Sequence, residues 1–467
     1  MIKLKTILLC LCLAILSLHS KAQVPPALDS ILNYTLDSLN MLTGAKSLSA
    51  AVQLPDTSMW TGVDGMSTAT VNATVNDAYL IGSVTKTITA ACILQLAEQN
   101  VLNLDDSLHT WLDTIQYINP DITIRQLMRH QSGLYDVLTD PGCQPAMLAD
   151  PDSIWIAADI VTTFIHPQLF APGTSWSYSN TNYLLLSMII EEATGNTWYD
   201  ELRNRFFIPL NMTSLSAFPF EPFNAPVAHL WLDLNGNGIT DDAHNWFVNN
   251  LALAASGGAA GCYFATASDM SKWMRSYMRG DVIGPAMMSQ ALTTVSAPGF
   301  PGVSYGLGLM NKTFLNTIPA LGHGGDFGYS ASCWYFPSKD ISITVLNNDS
   351  EHNSWSLIPV VTALLKSYNQ WLASTGVKEE EGILTCRAFP NPFNSNFSLD
   401  INTTEKLADL SIKIVDAFGR TMDEINVDEI QGRRLIDLSG SKWTGGIYYA
   451  VISDRQQKLK VIKIVKG

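Results

Sequence analysis

The chain has 467 residues, 47% of them hydrophobic and 15% charged, which is enough apolar matter for two or three globular domains and too much for global disorder. Its formal net charge is -14, and residues 386–467 hold 12 basic and 10 acidic side chains, so the excess acid lies in the preceding body. An acidic body of this kind repels nucleic acid and anionic membranes, and the absence of a C-x-x-C pair or an H-E-x-x-H motif leaves zinc without sequence support.

In chain order, Met1-Ile2-Lys3-Leu4-Lys5 is basic, an apolar run spans 7–18, and Ser20-Lys21-Ala22 offers a small-x-small cleavage site. That order predicts a secretory signal peptide over residues 1–22, too short for a spanning anchor, and an exported mature protein. No later segment has the ~18 uninterrupted apolar residues of a membrane helix, so no transmembrane segment is expected. Of seven cysteines, two fall in the signal; Cys92, Cys143, Cys262, Cys333 and Cys386 remain, an odd number that leaves at least one free or paired between chains. Residues 27–42 carry the apolar spacing of a helix, and 47–54 and 58–63 read as two strands about a Pro55-Asp56 turn.

The strand-like run Ala78-Tyr79-Leu80-Ile81-Gly82 then gives way to a helical pattern at Ser83-Val84-Thr85-Lys86. A lysine three residues after a serine shares its helix face, so the amine reaches the hydroxyl and helps remove its proton. The same spacing recurs at Ser439-Gly440-Ser441-Lys442, which reads as a turn. Further on, Tyr178-Ser179-Asn180 lies between Pro172-Gly173 and a helical run over 183–193. A phenol of ordinary pKa ~10 is a poor base, but a neighbouring ammonium such as that of Lys86 favours the phenolate, and Tyr178 would then take the Ser83 proton. Asn180 supplies an amide able to hold the lysine and a substrate carbonyl together. The plainer reading is a buried tyrosine at a helix entry with Ser179 or Asn180 as cap, and Tyr117-Ile118-Asn119 fits the same pattern.

Residues 233–242 place oxygen side chains as in a calcium loop, but His244 stands where a bidentate glutamate belongs; a Gly/Asn-rich hairpin turn between Trp231 and Trp246 is the favoured reading. Phe218, Phe220, Phe223, Trp231, Trp246 and Phe247 either line a cleft or pack a lid, and packing is favoured. His323-Gly324-Gly325 precedes Ser330-Ala331-Ser332-Cys333-Trp334-Tyr335-Phe336-Pro337, an expected antiparallel strand. Residues 373–385 have linker composition, and 386–467 alternate as short strands between turns, a small all-β sandwich.

In order, these blocks resemble the class C β-lactamase and D-alanyl-D-alanine carboxypeptidase family of serine hydrolases, which includes esterases and D-amino-acid-specific peptidases. Ser83 and Lys86 match its S-x-x-K element, Tyr178 and Asn180 its Y-x-N, and His323 to Gly325 its K-T-G or H-x-G; Ile122-Thr123-Ile124-Arg125-Gln126-Leu127-Met128-Arg129-His130-Gln131-Ser132-Gly133-Leu134 is a further match. The resemblance covers roughly 45–370 and implies an α+β fold, an antiparallel sheet flanked by helices with an all-helical subdomain, over a hydrolase domain at 23–372. It implies Ser83 as nucleophile, Lys86 and Tyr178 as the proton-handling pair, and Asn180, His323, Gly324, Gly325 and Asp326 as substrate-binding residues. Glycines there admit the substrate backbone, and the Asp326 and Ser83 N–H groups form an oxyanion hole. Histidine replaces the lysine that β-lactamases use for the β-lactam carboxylate, which weakens antibiotic hydrolysis as the main activity. The substrate is expected to be a small peptide, amide or ester, with no cofactor and no metal. A true β-lactamase and a non-catalytic binding module retaining the fold are the alternatives.

The tail has its own resemblance. Phe389-Pro390-Asn391-Pro392-Phe393, Ile414-Val415-Asp416-Ala417-Phe418-Gly419-Arg420, Ile436-Asp437-Leu438-Ser439 and Gly445-Gly446-Ile447-Tyr448 look like a type IX secretion C-terminal sorting domain. That implies the secretion machinery as partner and a secreted or cell-surface destination; a generic β module binding a surface or polysaccharide is the other reading.

Overall fold

The computed structural model describes residues 24–374, 384–391, 393, 395–416, 420–443, 446–454 and 458–466. The signal peptide expected over 1–22, and most of the linker expected over 373–385, lie outside the described residues.

Helix α1 (Pro26–Thr43) starts on a proline and stops at Gly44, whose φ of 72° is the left-handed cap conformation. Its Leu28, Leu32 and Leu36, one turn apart, are the buried stripe. Strands β1 (Ser47–Gln53) and β2 (Met59–Gly65) follow. Between them Asp56 Oδ1 accepts the Ser58 N–H at 3.0 Å, which closes the expected turn. Helices α2 (Thr85–Glu98) and α3 (Thr181–Thr194) form the heart of the helical region, and α4 (Ala267–Arg279) returns the chain to the sheet. The remaining strands are β3 (Val295–Ser296), β4 (Val303–Tyr305), β5 (Met310–Phe314), β6 (Ile318–Phe327), β7 (Tyr329–Phe336) and β8 (Ile341–Asn347), before helix α5 (Ile358–Ser374).

These eight strands make one antiparallel sheet in the order β2-β1-β8-β7-β6-β5-β4-β3. β1, β7 and β8 are buried along their whole length because helices cover both faces. The two-residue period of a strand divides them between two cores: Val345 of β8 packs with α1 and α5, and its neighbour Leu346 with α2 and α3.

The apolar run 78–82 behaves differently from a full strand. Tyr79–Leu80 pairs with Tyr263–Ala265 in a three-stranded side sheet, Ala78 makes a single parallel bridge to Val227, and the chain then tightens into a 3₁₀ turn at Gly82–Val84. The aromatic group pack as favoured. Phe218 stacks on Phe223 at 4.4 Å, Phe220 on Tyr199 at 5.7 Å, and Phe247 meets Phe327 edge-on at 6.0 Å. The 233–242 segment is a hairpin loop, with Trp231–Leu232 paired to Asp241–Asp242. Its Asp233 carboxylate is occupied by backbone N–H groups of residues 235 to 238. The five cysteines among the described residues are free thiols.

The tail is all β. Strand β10 (Asn396–Asp416) pairs with β11 (Thr421–Ser439) along most of its length, with β9 (Leu384–Phe389) near its start and with β12 (Gly446–Ser453) near its end; β12 also pairs with β13 (Lys458–Lys466). Leu399, Ile401, Ile412, Ile414, Ala450 and Ile452 form its own core. The second S-x-x-K lies here, and a 2.9 Å bond from Trp443 N to Gly440 O makes it the expected turn.

Candidate active site

The 3₁₀ turn leading into α2 puts Ser83 and Lys86 on one face, with Nζ 2.9 Å from Oγ. The backbone here abuts β6 so closely that only glycine fits on either side. A Cβ on Gly325 would stand 2.0 Å from Ile81 O and 2.8 Å from Ser83 N, and one on Gly82 would stand 2.7 Å from Asp326 N. Gly82 also has φ 49°, the left-handed region. The close approach places the backbone N of Asp326 against Gly82 and that of Ser83 against Gly325. β5 pairs with β6 only as far as Gly322, so residues 323–326 present an edge free of that neighbour.

Lys86 is wholly buried, and its three ammonium hydrogens are matched by Ser83 Oγ, Asn180 Oδ1 at 2.7 Å and the Ala260 carbonyl at 2.8 Å. Burial pulls its pKa down to about 7, against the opposing charge of Asp136. The neutral amine is therefore well populated at neutral pH and accepts where the ammonium would donate. Asn180 stands at the entry of α3 but makes no capping bond; its Nδ2 donates instead to Asp136 Oδ2 at 2.9 Å. A carboxylate accepts only, so this bond turns Oδ1 toward the lysine.

Tyr178 departs from expectation. Its hydroxyl is buried beside Ser83 without a hydrogen bond of standard length and angle, and burial drives its pKa far above the ordinary phenol value although Ser83 pulls the other way. The Lys86 amine lies 5.0 Å from the ring centroid, over its face. The expected phenolate is thus disfavoured: desolvation outweighs the pull of Ser83, and the group at Tyr178 is a neutral phenol. The alternative match at Tyr117 is an exposed turn.

His323 is buried, and its two nitrogens are both engaged. Nδ1 must donate to the Gly324 carbonyl, which leaves Nε2 to accept from the Tyr305 hydroxyl at 2.9 Å. Burial, and then Lys86, lower its pKa to about 3, so it is neutral wherever the lysine titrates. The Asp326 side chain is also committed: its carboxylate accepts Ser354 N and Oγ at 2.6 Å each and Ser330 Oγ at 3.0 Å, tying β6 to the 352–354 loop. What Asp326 offers a ligand at the cleft is its backbone.

Around these groups is a cavity of about 230 Å³ whose lining includes Ser83, Tyr178, Asn180 and His323 together with the aromatic rings of Phe300 and Trp355. No Lys or Arg is among its described lining residues. The fold thus brings Ser83, Lys86, Tyr178, Asn180, His323, Gly324, Gly325 and Asp326 to one place.

Three residues that sequence reasoning passed over complete the site. Asp136 holds Asn180, Tyr305 holds His323, and His130 carries Tyr178 on its ring at 4.2 Å with planes 29° apart. His130 Nδ1 accepts from Ser179 N at 3.2 Å and Asn182 Nδ2 at 3.0 Å, and burial keeps it neutral. His130 and Asp136 lie in and just after the 122–134 block, the one signal that pointed near them; Tyr305 had none.

Among protein families, the Beta-lactamase family matches residues 43–356 and the Secretion system C-terminal sorting domain matches residues 387–466. Penicillin-binding protein 4* of Bacillus subtilis (strain 168) is 26% identical over 295 residues, covering 60% of this chain and 62% of its own. Teichoic acid D-alanine hydrolase of Staphylococcus aureus is 25% identical over 277 residues, covering 59% and 64%. The chain therefore spans somewhat less than two thirds of the length of these curated relatives. Among solved structures, a D-stereospecific amidohydrolase from Streptomyces sp. is similar with a TM-score of 0.62 and 28% identity, over 72% of this chain and 98% of that one.

Proposed function

Because the chain belongs to the Beta-lactamase family, we propose that it is an exported serine hydrolase that cleaves an amide, peptide or ester bond through a Ser83 acyl-enzyme. The observation that carries this reading is the 2.9 Å contact between Ser83 Oγ and a buried lysine whose pKa is about 7. The neutral Lys86 amine takes the Ser83 proton as Oγ attacks the carbonyl carbon, and the oxygen of the tetrahedral adduct receives the Ser83 and Asp326 N–H groups. As the adduct collapses, the Tyr178 phenol gives its proton to the departing nitrogen or oxygen and is refilled from the Lys86 ammonium, which regenerates the amine. Water then repeats the attack on the acyl-enzyme with the same groups, releasing the acid and restoring Ser83. Asn180 keeps Lys86 in place throughout, and His323 stiffens the free edge of β6 as a neutral ring.

Charge narrows the substrate. A cleft without Lys or Arg in its lining, and with His323 neutral, gives no fixed cation for a free carboxylate, which disfavours β-lactams and peptides ending beside the scissile bond. The named activities of the relatives, a teichoic acid D-alanine hydrolase and a D-stereospecific amidohydrolase, point to a D-aminoacyl group on an uncharged amide or ester. The sorting domain at 387–466 marks the protein for export; transfer across the outer membrane after loss of the 1–22 signal completes the route. A panel of D-alanine amide, a short-chain ester, a D-Ala-D-Ala peptide and a chromogenic cephalosporin tests the substrate reading. The amide or ester is expected to turn over fastest, and a cephalosporin preferred over both would refute it.

A further inference from the structure

Asp136 sits at the start of a 3₁₀ turn, Val137–Thr139, and one carboxylate oxygen does ordinary capping work by accepting Leu138 N at 3.2 Å. Its other oxygen is directed elsewhere, to Asn180 Nδ2 at 2.9 Å, in a chain that continues through Asn180 Oδ1 to Lys86 Nζ at 2.7 Å and on to Ser83 Oγ at 2.9 Å. The segments on either side are clamped together at both neighbours of the pair. Thr181 Oγ1 donates to Tyr135 O at 2.6 Å and accepts Val137 N at 3.0 Å, and Ser179 Oγ reaches Tyr135 O at 3.3 Å. Asp136 is thereby fixed against the one side chain that positions the base.

We propose that Asp136 is a positioning residue of this site, holding the Asn180 amide with Oδ1 toward Lys86 and supplying the negative charge that sets the pH at which Lys86 becomes the base for Ser83. The proposal rests on the acyl-enzyme reading above. The other titratable groups around Lys86 are His130, His323 from β6, Tyr178 and Tyr183; both histidines and both phenols are held neutral by burial, so Asp136 is the anion that faces the lysine. Burial raises the Asp136 carboxyl above the usual carboxylate range, and the backbone and side chain of Asn180, Leu138 N and Lys86 oppose it by favouring the charged form; the Cys143 thiol lies nearby as a neutral group. An anion one amide away stabilises the ammonium, so its removal makes the lysine easier to deprotonate.

The test is the rate of fluorophosphonate labelling of Ser83 in the full chain, read by intact mass from pH 5 to pH 9. In Asp136→Asn the acid limb of the profile is expected to move about one pH unit lower than in the wild type. The plateau is expected to fall between about ten- and a hundredfold as Asn180 loses its orientation. Asp136→Glu, which keeps the charge, should leave the limb where it is. Asp136→Ser, a smaller neutral residue that still accepts from Asn180, should shift it as Asn does. A limb that stays in place in the neutral variants, with only the plateau lowered, overturns the proposal. Loss of the fold in both neutral variants overturns it as well, assigning Asp136 to capping alone. A wild type that never labels would instead remove the acyl-enzyme reading.

Discussion

A lysine stripped of water and given three acceptors is poised between two states that differ by one proton. As ammonium it donates to Ser83; as amine it accepts. With its pKa lowered to about 7 by burial, the switch falls in the working range, so acylation should rise with pH to a plateau above about 7 and fall away below it. A stopped-flow pH profile on a D-aminoacyl ester checks this. Tyr178→Phe separates the two possible bases: a neutral phenol that relays the proton to the leaving group predicts an amide kcat lower by about 10²–10⁴ with the acid limb unmoved. A Tyr178 phenolate acting as base would instead take the limb away with the hydroxyl. At this scale five side chains, Ser83, Lys86, Tyr178, Asn180 and His323, were legible because each stands in a short motif. Their supports were not. Asp136 and Tyr305 act through contacts across 44 and 18 positions of sequence, where no spacing rule connects partners. The state of the phenol is hidden for a related reason, since burial cannot be read from a motif and here it raises the Tyr178 hydroxyl far above the ordinary phenol value.

The elements explain how such a site survives packing. Two backbones, the 82–83 turn and the 325–326 end of β6, lie against one another with no room for a Cβ, so glycine at 82 and 325 is a demand of the element contact as much as of the turn. Gly325→Ala would place its Cβ 2.0 Å from Ile81 O, and the strand must shift to relieve it. The expected result is a loss of at least about a hundredfold in acylation, with about 2–4 kcal/mol of stability lost in urea unfolding. A variant as active as the wild type would show that the two elements are not held as described. Element identity was readable where periodicity is strong: α1, β1, β2 and β7 fall within two residues of expectation. The 78–82 run looks strand-like in sequence because short apolar runs do not distinguish a paired strand from a buried turn; Tyr79 and Leu80 pair as a strand, Ala78 makes one bridge, and the run ends in a turn.

The whole molecule joins an acidic Beta-lactamase-family body to an all-β tail, each with its own apolar core. Composition and turn spacing had separated the two, whereas the shape of the cleft, assembled from segments as distant as Ser83 and Trp355, could come only from the fold. Independent cores predict that cleavage within 375–383 leaves the body folded, with kcat/KM within about twofold of the full chain; a large loss would show that the tail completes the active fold. The proposed reaction passes through one covalent bond, that of the Ser83 acyl-enzyme. Incubation of the full chain with a fluorophosphonate followed by intact-mass measurement should give a single adduct on the wild type and none on Ser83→Ala, whereas an adduct that persists in Ser83→Ala would contradict the assignment of the nucleophile.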